Sequence, residues 1–199
     1  MKTLLLIDIQ HDFLPGGALA VPDSDAILPY VHELTTNFER VIATQDWHPA
    51  NHESFASQHA GKAVFDTIDL HGLPQTLWPD HCIQNSAGAE LHDVAQVGNL
   101  EAIFRKGMDK EIDSYSGFYD NGRRRTTGLH GFLQEKAITE LHFAGLAADF
   151  CVYYSMVDAL DLGYKVVLHE QGTRAIDEAN FAELLQNLKQ NPQFSVVAR

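Results

Sequence analysis

The sequence of 199 residues has few cysteines, few basic residues and no long apolar run. Its two cysteines, Cys82 and Cys151, are too few for a disulfide framework, which is typical of proteins whose thiols stay reduced in the cytoplasm. No stretch approaches the roughly 20 apolar residues that span a bilayer. The apolar start ends at Asp8, before the roughly 7–15 residues of a signal-peptide core. The sequence therefore predicts a cytoplasmic protein without a membrane segment.

Basic residues are scarce, because 14 lysines and arginines stand against 27 aspartates and glutamates, giving a net charge of −13. A surface of this sign repels phosphate backbones and anionic lipid headgroups. The basic run at residues 123–125 follows Asp120, Asn121 and Gly122, which have the composition of a turn, and is interpreted as a solvated loop. We therefore expect neither a nucleic-acid nor a membrane partner.

The chain is long enough to build its own core. A domain of this size buries roughly 70% of the surface of its unfolded chain, so it needs no disulfide or metal in order to fold. We expect a single domain over residues 1–199. Any metal site is then expected to serve chemistry.

Short apolar runs alternate with segments of helical periodicity, a pattern typical of βαβ units around a mainly parallel sheet. Strands are predicted at residues 3–9, 40–44, 100–106, 140–145, 164–169 and 194–198. Helices are predicted at residues 24–38 (with Ser24 as the cap), 127–135, 149–162 and 177–188. The segment from about residue 45 to about residue 98 shows only a short helix-like stretch at 89–95, and long irregular loops of this kind tend to be functional.

Reactive residues stand at or just beyond the carboxyl ends of these strands: Asp8, Asp46 with His48, Lys106, and the segment leading to Cys151. Right-handed crossovers bring the carboxyl ends of parallel strands to one edge of the sheet. Ligands bind at that edge in open α/β sheets. The sequence therefore predicts that these residues converge on one site.

Cys151 lies where a predicted strand passes into a helix through small residues. The positive end of the helix dipole is expected to lower the pKa of such a thiol and favour the nucleophilic thiolate. Taken alone, the segment fits a buried structural cysteine equally well, and Asp8 and Lys106 taken alone fit a cap and a surface residue. Together, the carboxylate can take up the thiol proton and the ammonium can stabilise the ionised pair.

Asp46 and His48 are two residues apart, so in an extended segment both side chains point to the same face. His81 is a candidate third ligand, and an Asp/His/His set suits Zn²⁺, Fe²⁺ or Mn²⁺ with positions left open for substrate. The chain has 11 histidines, so this spacing also arises by chance, and the participation of His52 or His59 stays open.

These motifs occur together in one known family. The chain resembles the nicotinamidase/pyrazinamidase family of isochorismatase-like cysteine hydrolases, with motifs in family order between residues 6 and 152. The matching segments are Leu6–Phe13, Thr44–Pro49, Trp78–Cys82, Lys106–Gly107 with Asp113–Phe118, and Gly145–Val152.

The resemblance implies a three-layer α/β/α fold around a central, mainly parallel six-stranded sheet. It implies a metal-dependent cysteine amidohydrolase that converts nicotinamide, and pyrazinamide as well, to nicotinate and ammonia through a thioester in NAD salvage. One divalent ion is the expected cofactor, without an organic cofactor. The oligomeric state is left open, a homo-oligomer included.

The resemblance also assigns roles to residues. Cys151 is the nucleophile, Asp8 the proton acceptor and Lys106 its electrostatic partner, while the N–H groups of Ala147 and Cys151 form the oxyanion hole after a cis peptide at Leu146–Ala147. The implied metal ligands are Asp46, His48 and His81, and the implied ring-binding residues are Phe13, Trp78 and Tyr115. Because cysteine and metal motifs are both present, nicotinamidase is favoured over isochorismatase and N-carbamoyl amidase activities.

The residues by themselves leave other functions open. A metal-activated-water hydrolase would use the Asp/His/His set and leave Cys151 structural, and a non-haem iron oxygenase uses the same ligand types. A metal-storage protein is the third alternative, and an ammonia-release assay with thiol alkylation separates all three from a cysteine amidase. Cys82 adjoins His81, and since neighbouring residues rarely bind one ion together, we interpret it as a packing residue.

Overall fold

The computed structural model describes residues 2–198. Its strands are β1 Lys2–Ile7, β2 Val41–Asp46, β3 Thr67–Leu70, β4 Leu73–Thr76, β5 Leu100–Lys106, β6 Glu140–Leu146, β7 Lys165–Arg174 and β8 Phe194–Val197. Its helices are α1 Leu28–Asn37, α2 Leu129–Glu135, α3 Tyr153–Asp161 and α4 Glu178–Leu188. Within residues 2–198, no helix has the length and apolar character needed to cross a bilayer.

Six strands form one sheet in the order β5-β2-β1-β6-β7-β8, and every pair in it is parallel. The side chains of β1 alternate between the faces: Leu5 and Ile7 join a core with α2, α3 and α4, whereas Leu4 and Leu6 join a core with α1. Both faces of the sheet are thus covered, and the central strand β1 is apolar throughout Leu4–Ile7, as expected of a strand buried on both faces. The three-layer fold with a six-stranded parallel sheet is confirmed.

Several element boundaries differ from the sequence-based expectation, including that of β7, which continues to Arg174 instead of ending at residue 169. Strand β1 ends at Ile7 instead of residue 9, because Asp8 adopts a left-handed backbone conformation with φ 46°. Ser24 does not cap a long helix: residues Ser24–Ile27 form a 3₁₀ turn, and α1 begins at Leu28 with Pro29 in its first turn. Proline is favoured there because an N–H group in the first turn of a helix has no acceptor within the helix, so nothing is lost when proline lacks it.

The long loop contains a hairpin that was not predicted. Strands β3 and β4 pair antiparallel, with Thr67 opposite Thr76, around a tight turn at His71 and Gly72. Both turn residues have positive φ, 52° and 84°, as hairpin turns of this length require. The expected helix-like stretch at 89–95 is instead two short 3₁₀ turns, Ala87–Ala89 and Asp93–Ala95. Strand β3 alternates polar and apolar residues over only four positions and β4 contains Pro74, so neither segment is a clear strand in sequence.

A chain of buried hydrogen bonds joins α1 to the sheet, far along the strands from the reactive residues. The His142 ring contacts Glu140 Oε1 at 3.0 Å and His169 Nε2 at 2.9 Å, and His169 Nδ1 lies 3.0 Å from the Tyr30 hydroxyl. Every bond is satisfied when both rings are neutral, since each ring then donates with one nitrogen and accepts with the other. Burial lowers the pKa of His169 to about 4, and His142 adds to the effect.

We expect this pair to make the fold acid-sensitive. Because the folded pKa of His169 lies below the unfolded value of 6.5, unfolding takes up a proton, so stability is lost as pH falls from 6.5 towards 4. The loss attributable to His169 is up to about 3 kcal/mol. Urea unfolding at several pH values should show a shallower loss for His169→Gln than for the unaltered chain; parallel curves would contradict this.

Candidate active site

Four neighbouring strands deliver the reactive residues to one edge of the sheet. Asp8 follows β1, Asp46 ends β2, Lys106 ends β5, and Cys151 lies in a π-helical turn, Ala148–Val152, directly after β6. Asp46 and Lys106 are paired in register across β2 and β5. The parallel sheet thus brings together side chains that are up to 143 positions apart, since 151 − 8 = 143.

Lys106 is the centre of the cluster. Its Nζ lies 2.9 Å from Asp8 Oδ2, 3.0 Å from Asp46 Oδ1 and 3.4 Å from Cys151 Sγ, and it donates to the Ser114 carbonyl at 3.0 Å. Burial acts to lower the pKa of this ammonium, but the two carboxylates outweigh burial and raise it well above its usual value. Lys106 is therefore a buried, charged ammonium that touches every reactive group of the cluster.

Asp8 is completely buried. Thr44 donates its hydroxyl to Asp8 Oδ1 at 2.6 Å, while Lys106 faces the other oxygen. Burial raises the pKa of Asp8, and it prevails over the lowering effect of Lys106. A carboxylate with a raised proton affinity is suited to take up and return a proton.

The structure corrects the expectation for the Cys151 thiol. Burial raises its pKa well above the usual value, and Lys106 offsets only part of this effect. Burial and the nearby carboxylates of Asp8 and Asp46 all disfavour a thiolate, and together they outweigh the expected effect of the helix terminus. The raised pKa favours the protonated thiol, so a base that takes up this proton assists nucleophilic attack.

The turn that carries Cys151 begins at Ala147. The Leu146–Ala147 peptide is cis, as the resemblance implies. The Ala147 carbonyl accepts the N–H groups of Phe150 and Val152, both at 3.1 Å, which closes the turn. N–H groups at the start of a helical turn have no partner from a preceding turn and are free to donate to an anion.

A narrow cavity opens beside Cys151 and is walled by aromatic rings. Trp78 meets Phe150 edge to face, with centroids 4.8 Å apart, and meets Tyr115 in the same way at 6.2 Å. The walls include all three expected ring-binding residues, Phe13, Trp78 and Tyr115. Residues not anticipated from sequence also line it: Leu19, Phe150 and Ile176. Phe150 adjoins the cysteine within a recognised motif and was open to prediction, whereas Leu19 and Ile176 lie outside every recognised motif.

Asp46, His48 and His81 form a buried set of candidate metal ligands. Asp46 Oδ2 lies 2.9 Å from His48 Nε2 and 3.3 Å from His81 Nε2. The Nδ1 atoms of the two rings donate to the Gly107 and Pro79 carbonyls at 2.9 and 2.8 Å. A neutral ring that donates through Nδ1 keeps a lone pair on Nε2. The Nε2 lone pairs of His48 and His81 therefore face the Asp46 carboxylate. That arrangement is stable only with a cation or additional protons between them, and it therefore fits a divalent metal ion.

The two histidines left open by the sequence differ in position. His52 is buried 4.4 Å, centroid to centroid, from the His48 ring, and forms a second candidate donor group with His48 and Asp113. His52 Nδ1 accepts the Ser54 N–H at 3.1 Å, so in its neutral form Nε2 carries the proton and offers no lone pair. His59 Nε2 instead contacts the Glu53 carbonyl at 2.7 Å, and His59 belongs to neither donor group found among residues 2–198.

Hydrogen bonds and a close backbone contact hold the loops that carry the candidate metal ligands. Asp12 accepts the Cys82 N–H at 2.7 Å and thereby fixes the turn that carries His81. Gly107 has φ 65°, and a Cβ there would overlap the His48 ring. The Cys82 side chain is fully buried in the core beside α1, which agrees with its interpretation as packing. Asp12 lies inside a recognised motif, but only the folded chain shows that its partner is 70 residues away.

A protein family, a named relative and two solved structures each match most of the chain. The isochorismatase domain family matches residues 2–199. A nicotinamidase of Escherichia coli strain K12 is 49% identical over 180 residues, covering 88% of this chain and 84% of that protein. The solved structure of a nicotinamidase/pyrazinamidase from Acinetobacter baumanii has a TM-score of 0.94 and 40% identity, covering 98% of this chain and 95% of that chain. The solved structure of a pyrazinamidase from Pyrococcus horikoshii in complex with zinc has a TM-score of 0.82 and 31% identity, covering 100% of this chain and 99% of that chain.

Proposed function

The chain belongs to the isochorismatase domain family, and from this premise we propose that it is a cysteine amidase that hydrolyses nicotinamide to nicotinate and ammonia. The resemblance inferred from the motifs is confirmed by the named relatives. The enzyme is a hydrolase of a linear amide C–N bond. One observation carries the proposal: a buried ammonium, Lys106 Nζ, lies within 3.4 Å of a thiol and two carboxylates beneath an aromatic cavity.

Acylation begins with a proton transfer. Cys151 gives its proton to the Asp8 carboxylate and its sulfur bonds to the carboxamide carbon, while Lys106 stabilises the negative charge as it passes from Asp8 to the sulfur. The N–H groups of Ala147 and Cys151 donate to the developing oxyanion, which contributes about 3 kcal/mol per donor. Asp8 then returns the proton to the amide nitrogen, the C–N bond breaks, and ammonia leaves behind a thioester.

Deacylation uses the same groups in reverse roles. Asp8 takes a proton from water as the water oxygen bonds to the thioester carbon, and the oxyanion again accepts from the two backbone N–H groups. The C–S bond breaks and the proton held by Asp8 returns to the Cys151 sulfur. The carboxylic acid product passes its remaining proton to solvent and leaves as nicotinate. The raised pKa of Asp8, which is caused by burial, supports this role in both halves of the cycle.

The cavity supports a flat, aromatic and neutral substrate. Phe13, Trp78 and Tyr115 surround the ring position, and edge-to-face packing suits a pyridine or pyrazine ring equally. Pyrazinamide is therefore a second substrate. Holding the carboxamide against Cys151 supplies positioning, which is worth several kcal/mol of the barrier.

Asp46, His48 and His81 would hold one divalent ion, with zinc, iron and manganese all suited to this ligand set. The zinc-bound relative from Pyrococcus horikoshii supports this assignment. When bound, the ion supplies positive charge that attracts the ring nitrogen of the substrate. We place the enzyme in NAD salvage, as a single-domain cytoplasmic protein that acts on a small molecule without an organic cofactor.

Substitution of His48 by alanine is expected to weaken metal binding by at least about tenfold and to raise KM more than it lowers kcat. The reason is that the ligand set positions the ring, whereas Cys151, Asp8 and Lys106 perform the bond changes. Metal content by atomic emission and steady-state kinetics check this. His59→Ala is the matched control and should keep its metal; an unchanged metal content in His48→Ala would remove His48 from the ligand set.

Ammonia release from nicotinamide by the purified chain tests the function directly. We expect turnover that stops when iodoacetamide alkylates Cys151 while the metal stays bound. Continued turnover after complete alkylation would favour metal-activated water over a cysteine nucleophile. A lack of ammonia release from both nicotinamide and pyrazinamide by metal-loaded protein would refute the proposed activity.

A further inference from the structure

Strand β1 ends before its neighbour β2 at the reactive edge of the sheet. Their paired residues run from Leu4 opposite Val41 to Leu6 opposite Ala43, and β1 then turns away at Asp8. Strand β2 continues to Asp46, whose other side is paired with Lys106 of β5. The backbone of Asp46 therefore extends beyond the strand that pairs with the rest of β2.

The side chain of Gln10 fills this position. Its Oε1 accepts the Asp46 N–H at 2.8 Å, and its Nε2 donates to the Asp46 carbonyl at 2.8 Å and to the Ala89 carbonyl at 2.8 Å. Gln10 is completely buried. A glutamine amide carries both a donor and an acceptor, as a peptide group does. The Gln10 side chain therefore supplies the hydrogen bonds to the Asp46 backbone that β1, which ends earlier, does not make.

We infer that Gln10 is a positioning residue that fixes the metal ligand Asp46 by binding both backbone groups of that residue. This inference rests on the proposed function, since the Asp46 carboxylate is assigned to the metal ion. The carboxylate also contacts Lys106, His48 and His81 within 3.3 Å, so a displaced Asp46 backbone disturbs the metal site and the ammonium together. Nothing else in the proposed mechanism uses Gln10.

The chain offers a matched control in Gln45. Its Nε2 donates to the same Ala89 carbonyl at 2.9 Å, and its Oε1 accepts from Arg105 at 3.1 Å. It is also buried, but its side chain does not bond to the N–H or carbonyl of Asp46. Gln10 and Gln45 thus share residue type, burial and the Ala89 acceptor. They differ in that only the Gln10 side chain bonds to the backbone of Asp46.

The test compares Gln10→Met with Gln45→Met. Zinc dissociation constants, measured by competition with a chromogenic chelator, should rise about 10- to 100-fold for Gln10→Met, as for other groups that orient metal ligands, and less than about threefold for Gln45→Met. A purely structural role would lower the melting temperature of both metal-free variants and leave both zinc constants alike. Equal zinc constants in the two variants would overturn the inference. If either variant does not fold, the pair Gln10→Asn and Gln45→Asn, which shortens both side chains equally, is judged by the same criterion.

A second measurement separates this inference from the proposed function. If the unaltered chain binds no zinc, iron or manganese, the metal assignment fails, and Gln10 is judged by the pH midpoint of Cys151 alkylation with iodoacetamide. The Lys106 ammonium lies beside the thiol and also contacts Asp46, so displacement of Asp46 changes the position of this ammonium. We therefore expect Gln10→Met to shift the midpoint and Gln45→Met to keep it. Identical midpoints in that case would refute the positioning role.

Discussion

Replacement of Cys151 by alanine is expected to abolish ammonia release from nicotinamide while the fold and the bound metal persist. Loss of the nucleophile removes the thioester route, and turnover should fall by at least about 10⁴-fold, the scale seen when nucleophiles are deleted from other hydrolases. Alanine fits the site because the removed sulfur leaves only a small space. Ammonia release, metal content and circular dichroism on the same preparation measure the three properties.

The second thiol provides the control for this substitution. Cys82 is buried in the opposite core and its backbone, not its sulfur, is held by Asp12. Cys82→Ala should keep turnover within about tenfold, because its cost is that of a small cavity. Appreciable deamidation by Cys151→Ala, or an equal loss in both variants, would contradict the assignment of Cys151 as nucleophile.

Replacement of Lys106 by methionine is the substitution with the next largest expected effect. It removes the only lysine or arginine that contacts Asp8 and Asp46 among the described ion pairs. Buried Asp8 is then left without a counter-charge, and Asp46 keeps only its contacts with the His48 and His81 rings. Removal of one partner from a buried ion pair costs about 3–5 kcal/mol, and we expect the metal-free variant to lose about that much free energy of unfolding. Turnover should fall about 10³-fold or more, because the proton shared by Cys151 and Asp8 loses its electrostatic support.

Lys110 serves as the matched control. It is a half-exposed lysine whose Nζ lies 3.5 Å from Glu53 on the surface, and such pairs contribute at most about 1 kcal/mol. Lys110→Met should therefore unfold in urea close to the unaltered chain and retain its turnover. If Lys106→Met matched Lys110→Met in both measurements, Lys106 would be excluded from the electrostatic role assigned to it.

The convergence of the site was predictable because parallel topology is simple. Asp8, Asp46 and Lys106 each follow an apolar run, and βαβ connections bring the ends of such runs to one edge. Asp46 and His48 are only two residues apart, so their closeness in the folded chain was also predictable from sequence. What these residues share is that their placement depends on the chain within a few positions of them.

Other features depend on partners that the local sequence does not contain. The raised pKa of Cys151 comes from burial, which is a property of the whole packed site. Leu19 and Ile176 reach the ring cavity through loops whose course is set by packing, without a motif. The Gln10 and Asp12 side chains lie in a recognised segment, yet their partners are 36 and 70 residues away, and hydrogen bonds at such separations have no local signature.

The position of one ammonium between two carboxylates has a consequence for how this enzyme tolerates change. In the proposed mechanism Asp8 transfers the proton and Asp46 binds the metal ion, whereas the Lys106 ammonium contacts both carboxylates, at 2.9 and 3.0 Å. The energies of two substitutions that share such a partner do not add, and coupling of about 0.5–3 kcal/mol is typical. The residues around Asp8 and those around Asp46 are therefore expected to be epistatic. A substitution near one carboxylate changes which substitutions are tolerated near the other.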